Sequence, residues 1–435
     1  MQTENNIVTK LSRITIIDSL RGFSLFGILI AHMSSGFNAM IMDGGQKSTI
    51  MAILDGIVNM INGLLISGKF FMIFSFLFGL SYFIQMDRAS QKGVSFKWRF
   101  LWRIIILLGI GYLHSLLFSG DILIIYAILG IPLVFMFKVK SKILLVMVIL
   151  LFAGMPRFID FGYKKYENHH LTQEQKAAKL NEKPAGFEEI MKKGNEIALK
   201  GSFTDMVKFN SVEGLKGKYE FQMGAMGRGY QTLALFLLGL MVGRLRFFEK
   251  IEENIVTTRK ILKWSAIGSG ICLLLMILFG FLAIEDFRQV IQSGTLNSIF
   301  SMLAISFYDL FNLALTAVII TGFVLMYQKQ KYQKKFIKLA PYGRMALTNY
   351  ILQSLIAVPL FFGWGFGLAG LLGPFTGLLL AVFVFMFQVF ISRWWLSRFI
   401  YGPLEWFWRS ATYTKWQPFV KKTEMIDPSV LLENK

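Results

Sequence analysis

Long apolar runs alternate with short polar connections along the chain, and the runs carry neither the two-residue alternation of a half-buried strand nor a broad polar face. Ile143 to Met155, Thr232 to Val242 and Phe375 to Ile391 are nearly free of charge. About 20 such residues cross a bilayer as a helix. The pattern predicts about ten spans, at 20–36, 68–86, 100–118, 122–137, 143–160, 229–246, 262–284, 298–327, 345–363 and 371–392. The expected fold class is therefore all-α, a polytopic integral membrane protein. Met51 to Ser67 is less apolar, with Asp55, Asn59 and Asn62, and fits a tilted or re-entrant helix that Gly68 separates from the second span. One long polar stretch, 162–228, divides the chain. It separates helices 1–5, within 1–161, from helices 6–10, within 229–410, which a tail at 411–435 follows.

Composition agrees with this pattern. Of the 435 residues 54% are hydrophobic and 17% charged, against about 25% charged in soluble domains. The net charge of +20 invites a nucleic-acid reading, which its distribution opposes. With the N-terminus inside, the short outer connections hold only Lys47, Lys69 and Arg288, while Arg88 to Arg99, Lys138 to Lys142, Arg244 to Lys263, Lys329 to Lys338 and the tail fall inside. This is the positive-inside pattern. It places both termini in the cytoplasm and the 162–228 loop outside, with the basic excess facing anionic lipid. That loop reads as a solvated helical spacer or as a cap over a substrate site. Lone Cys272 permits neither an internal disulfide nor a cysteine metal site. His169 and His170 lack an acidic or cysteine cluster at ligand spacing, so no metal is expected. Lys10 and Arg13 precede the first span without a small-residue cleavage site, as in an uncleaved signal-anchor.

The chemistry resides in what interrupts the apolar runs. The first span reads "RGFSLFGILIAH", from Arg21 to His32, and the third reads "RIIILLGIGYLH", from Arg103 to His114. Each is an arginine, ten residues, then a histidine, with glycine at one shared offset, Gly27 and Gly109. Eleven residues return a helix to within about 20° of its starting face and advance it about 16 Å. Each span thus offers an arginine at the cytoplasmic edge and a histidine in the outer half, on one stripe. Asp121 opens the fourth span. It reads as a helix cap, or as a group that orients His114 and raises its basicity. Asp309 lies mid-span in "SFYDLFNLALT", where an unpaired carboxylate is costly. His32, His114 and Arg21 are candidate partners for it. Lys69, at the outer start of the second span, either snorkels or serves a substrate.

"IDSLRGFSLFGIL", "GKFFMIFSFLFGLSYFIQMDRA" and "HSLLFSGDILIIYAI" resemble the signatures of the YeiB-like family of bacterial polytopic membrane proteins. "GRMALTNYILQSLI", the segment from "LGPFTG" to "LEWFWR", and "YTKWQP" resemble its carboxyl-terminal domain. The resemblance covers nearly the whole chain outside the polar loop. That family is similar to a superfamily of transmembrane acyltransferases that includes envelope-polysaccharide O-acyltransferases and the lysosomal heparan acetyltransferase. The envelope enzymes carry arginine, ten residues, then histidine in an early span, and Arg21 and His32 match that pattern. The resemblance implies acyl-CoA (acetyl-CoA) as a cytoplasmic donor and a multi-pass location in the bacterial cytoplasmic membrane.

Two functions follow as expectations. As an acyltransferase, the chain would use His114 with Asp121, and His32 beside them, as catalytic groups. Arg21, Arg99 and Arg103 would hold the donor's phosphates, with Asp309 and Lys69 as further binding groups. The acceptor would be an extracytoplasmic or lipid-linked group, such as an envelope glycan. As a transporter or flippase for a lipid or small anion, the same buried His, Asp and Arg residues would form a relay and a substrate site. Membrane lipids are expected partners and a second copy of the chain is a further candidate; nucleic acid is not expected.

Overall fold

A computed structural model of the protein describes residues 14–37, 48–172, 175, 187–224, 227–293 and 298–421, and among these the chain is helical. Lys10, Arg13, Lys47 and the end of the tail lie outside the described residues. Helix α1, Thr15–Ala31, continues through a wide turn in which Phe37 N–H donates to the His32 carbonyl at 2.7 Å. Helix α2, Thr49–Ile61, ends in a second such turn, Ser67 N–H to the Asn62 carbonyl at 2.7 Å. Gly68 then adopts φ 86° and starts α3, Lys69–Gln91. Only glycine takes that conformation without strain, so the break expected at Gly68 is a sharp, local one.

Helices α4, Lys97–Leu117, and α5, Leu123–Met136, follow as a tight pair. The run expected as one span at 143–160 is instead two helices, α6, Ser141–Phe152, and α7, Met155–His170. They bend by 55° at the break, where Gly154 has φ 82° and Pro156 opens the next turn. The polar stretch forms α8, Phe187–Lys200, α9, Phe203–Ser211, and α10, Glu213–Met223. Ser202 and Asp205 close a reciprocal capping box on α9.

Helix α11, Gly229–Arg244, packs along α3 at close range. A side chain at Gly79 would meet the Phe236 backbone, and one at Gly239 would meet the Phe76 carbonyl. Helices α12, Ile255–Leu282, and α14, Ile299–Tyr327, form a long hairpin joined through α13, Ile284–Ser293. Short α15, Gln330–Phe336, and α16, Ala340–Arg344, lead to α17, Ala346–Phe361, α18, Pro374–Arg398, and the terminal α19, Pro403–Tyr413.

Among the described residues six helices are long and apolar enough to cross a membrane, or seven with the bent pair taken as one. Helices α5, α11 and α17 have 14, 16 and 16 residues, short of the about 20 a full crossing needs. The core runs through α1, α3, α4, α5, α11 and α14, with Leu20, Leu25, Met72, Phe236 and Leu240 fully enclosed. Apolar side chains also cover the outside. Leu274, Ile277 and Phe281 of α12 are exposed, as an acyl-chain environment requires.

Candidate functional site

At one end of the bundle the chain leaves α4, turns, and enters α5, and this turn builds the site. The Asp121 N–H donates to the Phe118 carbonyl at 3.1 Å, which folds Asp121 back beneath His114. One carboxylate oxygen, Oδ1, lies 2.7 Å from His114 Nδ1. The other, Oδ2, accepts from the Ile124 N–H at 3.2 Å. The two sequence readings of Asp121 thus coexist, with one oxygen capping α5 and the other holding the imidazole.

The tautomer follows from this pairing. A carboxylate only accepts, so Nδ1 of a neutral His114 carries the proton and Nε2 keeps its lone pair. His114 and Asp121 are both buried, and Nε2 has no hydrogen-bond partner among the described residues. His32 belongs to the same cluster. Both imidazoles lie against the rings of Phe118 and Tyr350, with centroids at 5.4 and 6.3 Å for His32 and 6.4 and 5.2 Å for His114. His32 Nδ1 is also buried, with no hydrogen-bond partner among the described residues. The Tyr350 hydroxyl accepts from the Ile122 N–H at 3.2 Å and anchors the turn to α17.

The polar segment covers this end. Asn210 of α9 donates to the Leu116 carbonyl at 3.0 Å, and the Gly363 N–H reaches the Ala198 carbonyl at 2.8 Å. Lys218 of α10 is buried, with Nζ 3.9 Å from Asp121 Oδ2. Burial pulls its ammonium below the ordinary value, and the Asp121 charge opposes that shift. Helices α9 and α10 thus pack against the bundle instead of standing free in solvent.

Asp309 is elsewhere. Its carboxylate pairs with Arg157 at 2.8 Å, not with His32, His114 or Arg21. Arg157 is fully enclosed and also donates to Ser306 at 3.0 Å and to the Tyr230 hydroxyl. Sequence reading missed Arg157 because it was assigned to the end of a continuous span. "GMPR", a glycine and proline just before an arginine, was the available signal of a broken helix that turns that arginine inward. Lys69 does not snorkel; it is buried and donates to the carbonyls of Gly63 and Ser67 at 3.0 and 2.9 Å.

The opposite end holds the arginines. Arg21 pairs with Asp18 at 2.7 Å and donates to Ser81 at 3.0 Å. Arg103 stacks on Trp408 at 3.7 Å, and Arg99 lies 5.0 Å from the Tyr413 ring, both on α19. The guanidinium edges of Arg99 and Arg103 make no hydrogen bond among the described residues. The two motif helices are not equivalent: Gly27 packs on the Phe70 ring, whereas Gly109 faces open space.

The fold and site define a helical protein with membrane-length apolar helices and a capped, buried His–Asp pair. Comparison with known proteins agrees with the resemblance seen in the motifs. The family described as a protein of unknown function, DUF418, matches residues 242–415. The uncharacterized protein YxaH of Bacillus subtilis is 30% identical over 432 residues, 95% of this chain and 97% of its own. An uncharacterized 39.9 kDa protein of Bacillus acidopullulyticus is 25% identical over 95% of this chain and 97% of its own. YeiB of Escherichia coli is 40% identical over 93 residues, 21% of this chain and 23% of its own. The chain belongs to this YeiB-like family. No solved structure matches it.

Proposed function

We propose that the protein is a membrane-bound acyltransferase that moves an acyl group, such as acetyl, from cytoplasmic acyl-CoA to an extracytoplasmic or lipid-linked acceptor. The observation that carries the reading is His114, held through Nδ1 by Asp121 at 2.7 Å, with Nε2 buried and without a hydrogen-bond partner among the described residues. In this reading the chain crosses the bacterial cytoplasmic membrane ten times, with both termini inside and α8 to α10 outside. The shorter helices α5, α11 and α17 complete the count.

The donor supplies an acyl carbon activated as a thioester. His114 Nε2 takes the proton from the acceptor hydroxyl or amine as its oxygen or nitrogen attacks that carbon. The carbon–sulfur bond breaks, and the imidazolium returns the proton to the departing thiolate. Such a base contributes about 10²–10⁴ in rate. Asp121 fixes the tautomer and stabilises the imidazolium, and His32 offers a second acceptor of protons beside it. The free guanidinium edges of Arg99 and Arg103, with Arg21, suit phosphates, which a planar fork binds bidentately. The α9–α10 cap keeps water from the thioester.

The test uses purified protein in nanodiscs with acetyl-CoA. His114→Ala abolishes transfer and leaves CoA affinity nearly unchanged, whereas loss of CoA affinity without loss of turnover would contradict the assignment. The buried Arg157–Asp309 pair favours one second reading, a proton-coupled carrier. No CoA binding, together with substrate flux that needs His114 and a proton gradient, would select the carrier instead.

A further inference from the structure

A second polar cluster stands apart from the His–Asp pair. A cavity of about 480 Å³ opens between the α12–α14 hairpin and the bundle, lined on its polar side by Arg228, Gln231, Tyr308, Asp309 and Asn312. Its charges do not balance. Asp309 is already paired with Arg157 at 2.8 Å. Arg228 lies against the rings of Phe71 at 5.1 Å and Phe221 at 5.7 Å, and it makes no ion pair within 4.0 Å among the described residues, so Asp309 acts on it only at longer range. Two cations, Arg157 and Arg228, thus share one carboxylate.

A second observation points the same way. The Asn312 side chain is buried and lines the cavity, yet its Oδ1 has no partner and its amide makes no hydrogen bond among the described residues. A cation with no ion-pair partner of its own and an idle amide in an apolar setting are both costly. An anion with several oxygens relieves both: a guanidinium fork binds it strongly, the Asn312 Nδ2 N–H groups donate to it, and a hydroxyl that it carries donates to Asn312 Oδ1. The far wall is apolar, with Met276 and Gly280 of α12 and Phe287. Helix α12 itself is a single layer whose outer face is exposed and apolar.

We propose that this cavity binds a phosphate-class anion, held by the Arg228 guanidinium and the Asn312 amide. The same chemistry is offered by a lipid headgroup entering past α12 and by free inorganic phosphate. The inference does not rest on the acyl-transfer reading.

The experiment measures ligand binding to the full chain in phosphatidylcholine nanodiscs. One arm titrates inorganic phosphate by calorimetry. The other dopes in phosphatidylglycerol and counts retained lipid by native mass spectrometry. Saturable phosphate binding identifies a soluble ligand; retention of phosphatidylglycerol alone identifies a headgroup. In either arm Arg228→Gln weakens binding at least tenfold, Arg228→Lys weakens it less, and Lys334→Gln, on the exposed surface, changes nothing. Asn312→Asp keeps the volume, adds a repelling charge, and also weakens binding at least tenfold. This variant carries the test should Arg228→Gln fail to fold. Wild-type protein that binds neither ligand overturns the proposal, as does binding that survives both Arg228→Gln and Asn312→Asp.

Discussion

Breaking the Arg157–Asp309 pair should have a large and asymmetric effect on stability. The pair is buried, with side-chain exposures of 0% and 5% and a separation of 2.8 Å. At an effective dielectric of about 20, its Coulomb attraction is about 6 kcal/mol. Desolvation of both ions offsets most of that, so the pair's net contribution is small, whereas removing one partner costs about 3–5 kcal/mol. The neighbours decide which removal is worse. Arg157→Leu leaves Asp309 with the Arg228 charge nearby, so its cost falls at the lower end. Asp309→Leu removes the carboxylate that Arg157 pairs with and that also stabilises Arg228, and its cost falls at the upper end. The double variant removes both charges and should lose less than Asp309→Leu alone. The assay is unfolding in mixed micelles of increasing sodium dodecyl sulfate fraction, followed by tryptophan fluorescence and analysed as a double-mutant cycle. Single losses below about 1 kcal/mol, or losses that simply add, would refute the reasoning.

Three further outcomes are expected. Asp121→Asn should lower the turnover for acyl transfer by about 10²-fold, inside the range a general base supplies, without changing KM for acetyl-CoA; a KM effect alone would move Asp121 to binding. Arg103→Leu removes the Trp408 stack, worth about 0.5–2 kcal/mol, and should weaken CoA binding, and Arg103→Lys should recover only part of that affinity, as read by calorimetry. For the proposed topology, Lys192→Cys should label with an impermeant thiol reagent in intact cells and Lys335→Cys should not; external labelling at 335 would overturn the scheme.

Much of this was legible in the sequence, for identifiable reasons. His114 and Asp121 are seven residues apart across one turn, so a local reading of "HSLLFSGD" was enough to suggest their contact. The apolar character of α1, α3, α4, α12, α14 and α18 needed only composition. What was not legible depends on long-range packing or on a break in a helix. Arg157 meets Asp309 across 152 positions, after the Gly154 bend that hydropathy alone does not register. Tyr350 sits in an apolar run that resembles any other, and only the packing of α17 brings its ring to both histidines. Lys218 and Arg228 lie at the end of the polar stretch, where a charge is ordinarily solvated. The burial of Lys218 and the partial burial of Arg228 follow from the docking of α9 and α10, which no sequence period announces.

If His114 is the base on an acceptor during acyl transfer, label must pass from the donor to that acceptor and must need His114. Membrane vesicles containing the protein receive acetyl-CoA labelled in the acetyl group, and acid-stable label is counted in the lipid and envelope fraction. The account predicts label well above that of vesicles without the protein, and background label with His114→Ala, although that variant still binds CoA. Label that never exceeds background with the wild-type chain, or that persists undiminished in His114→Ala, would contradict it.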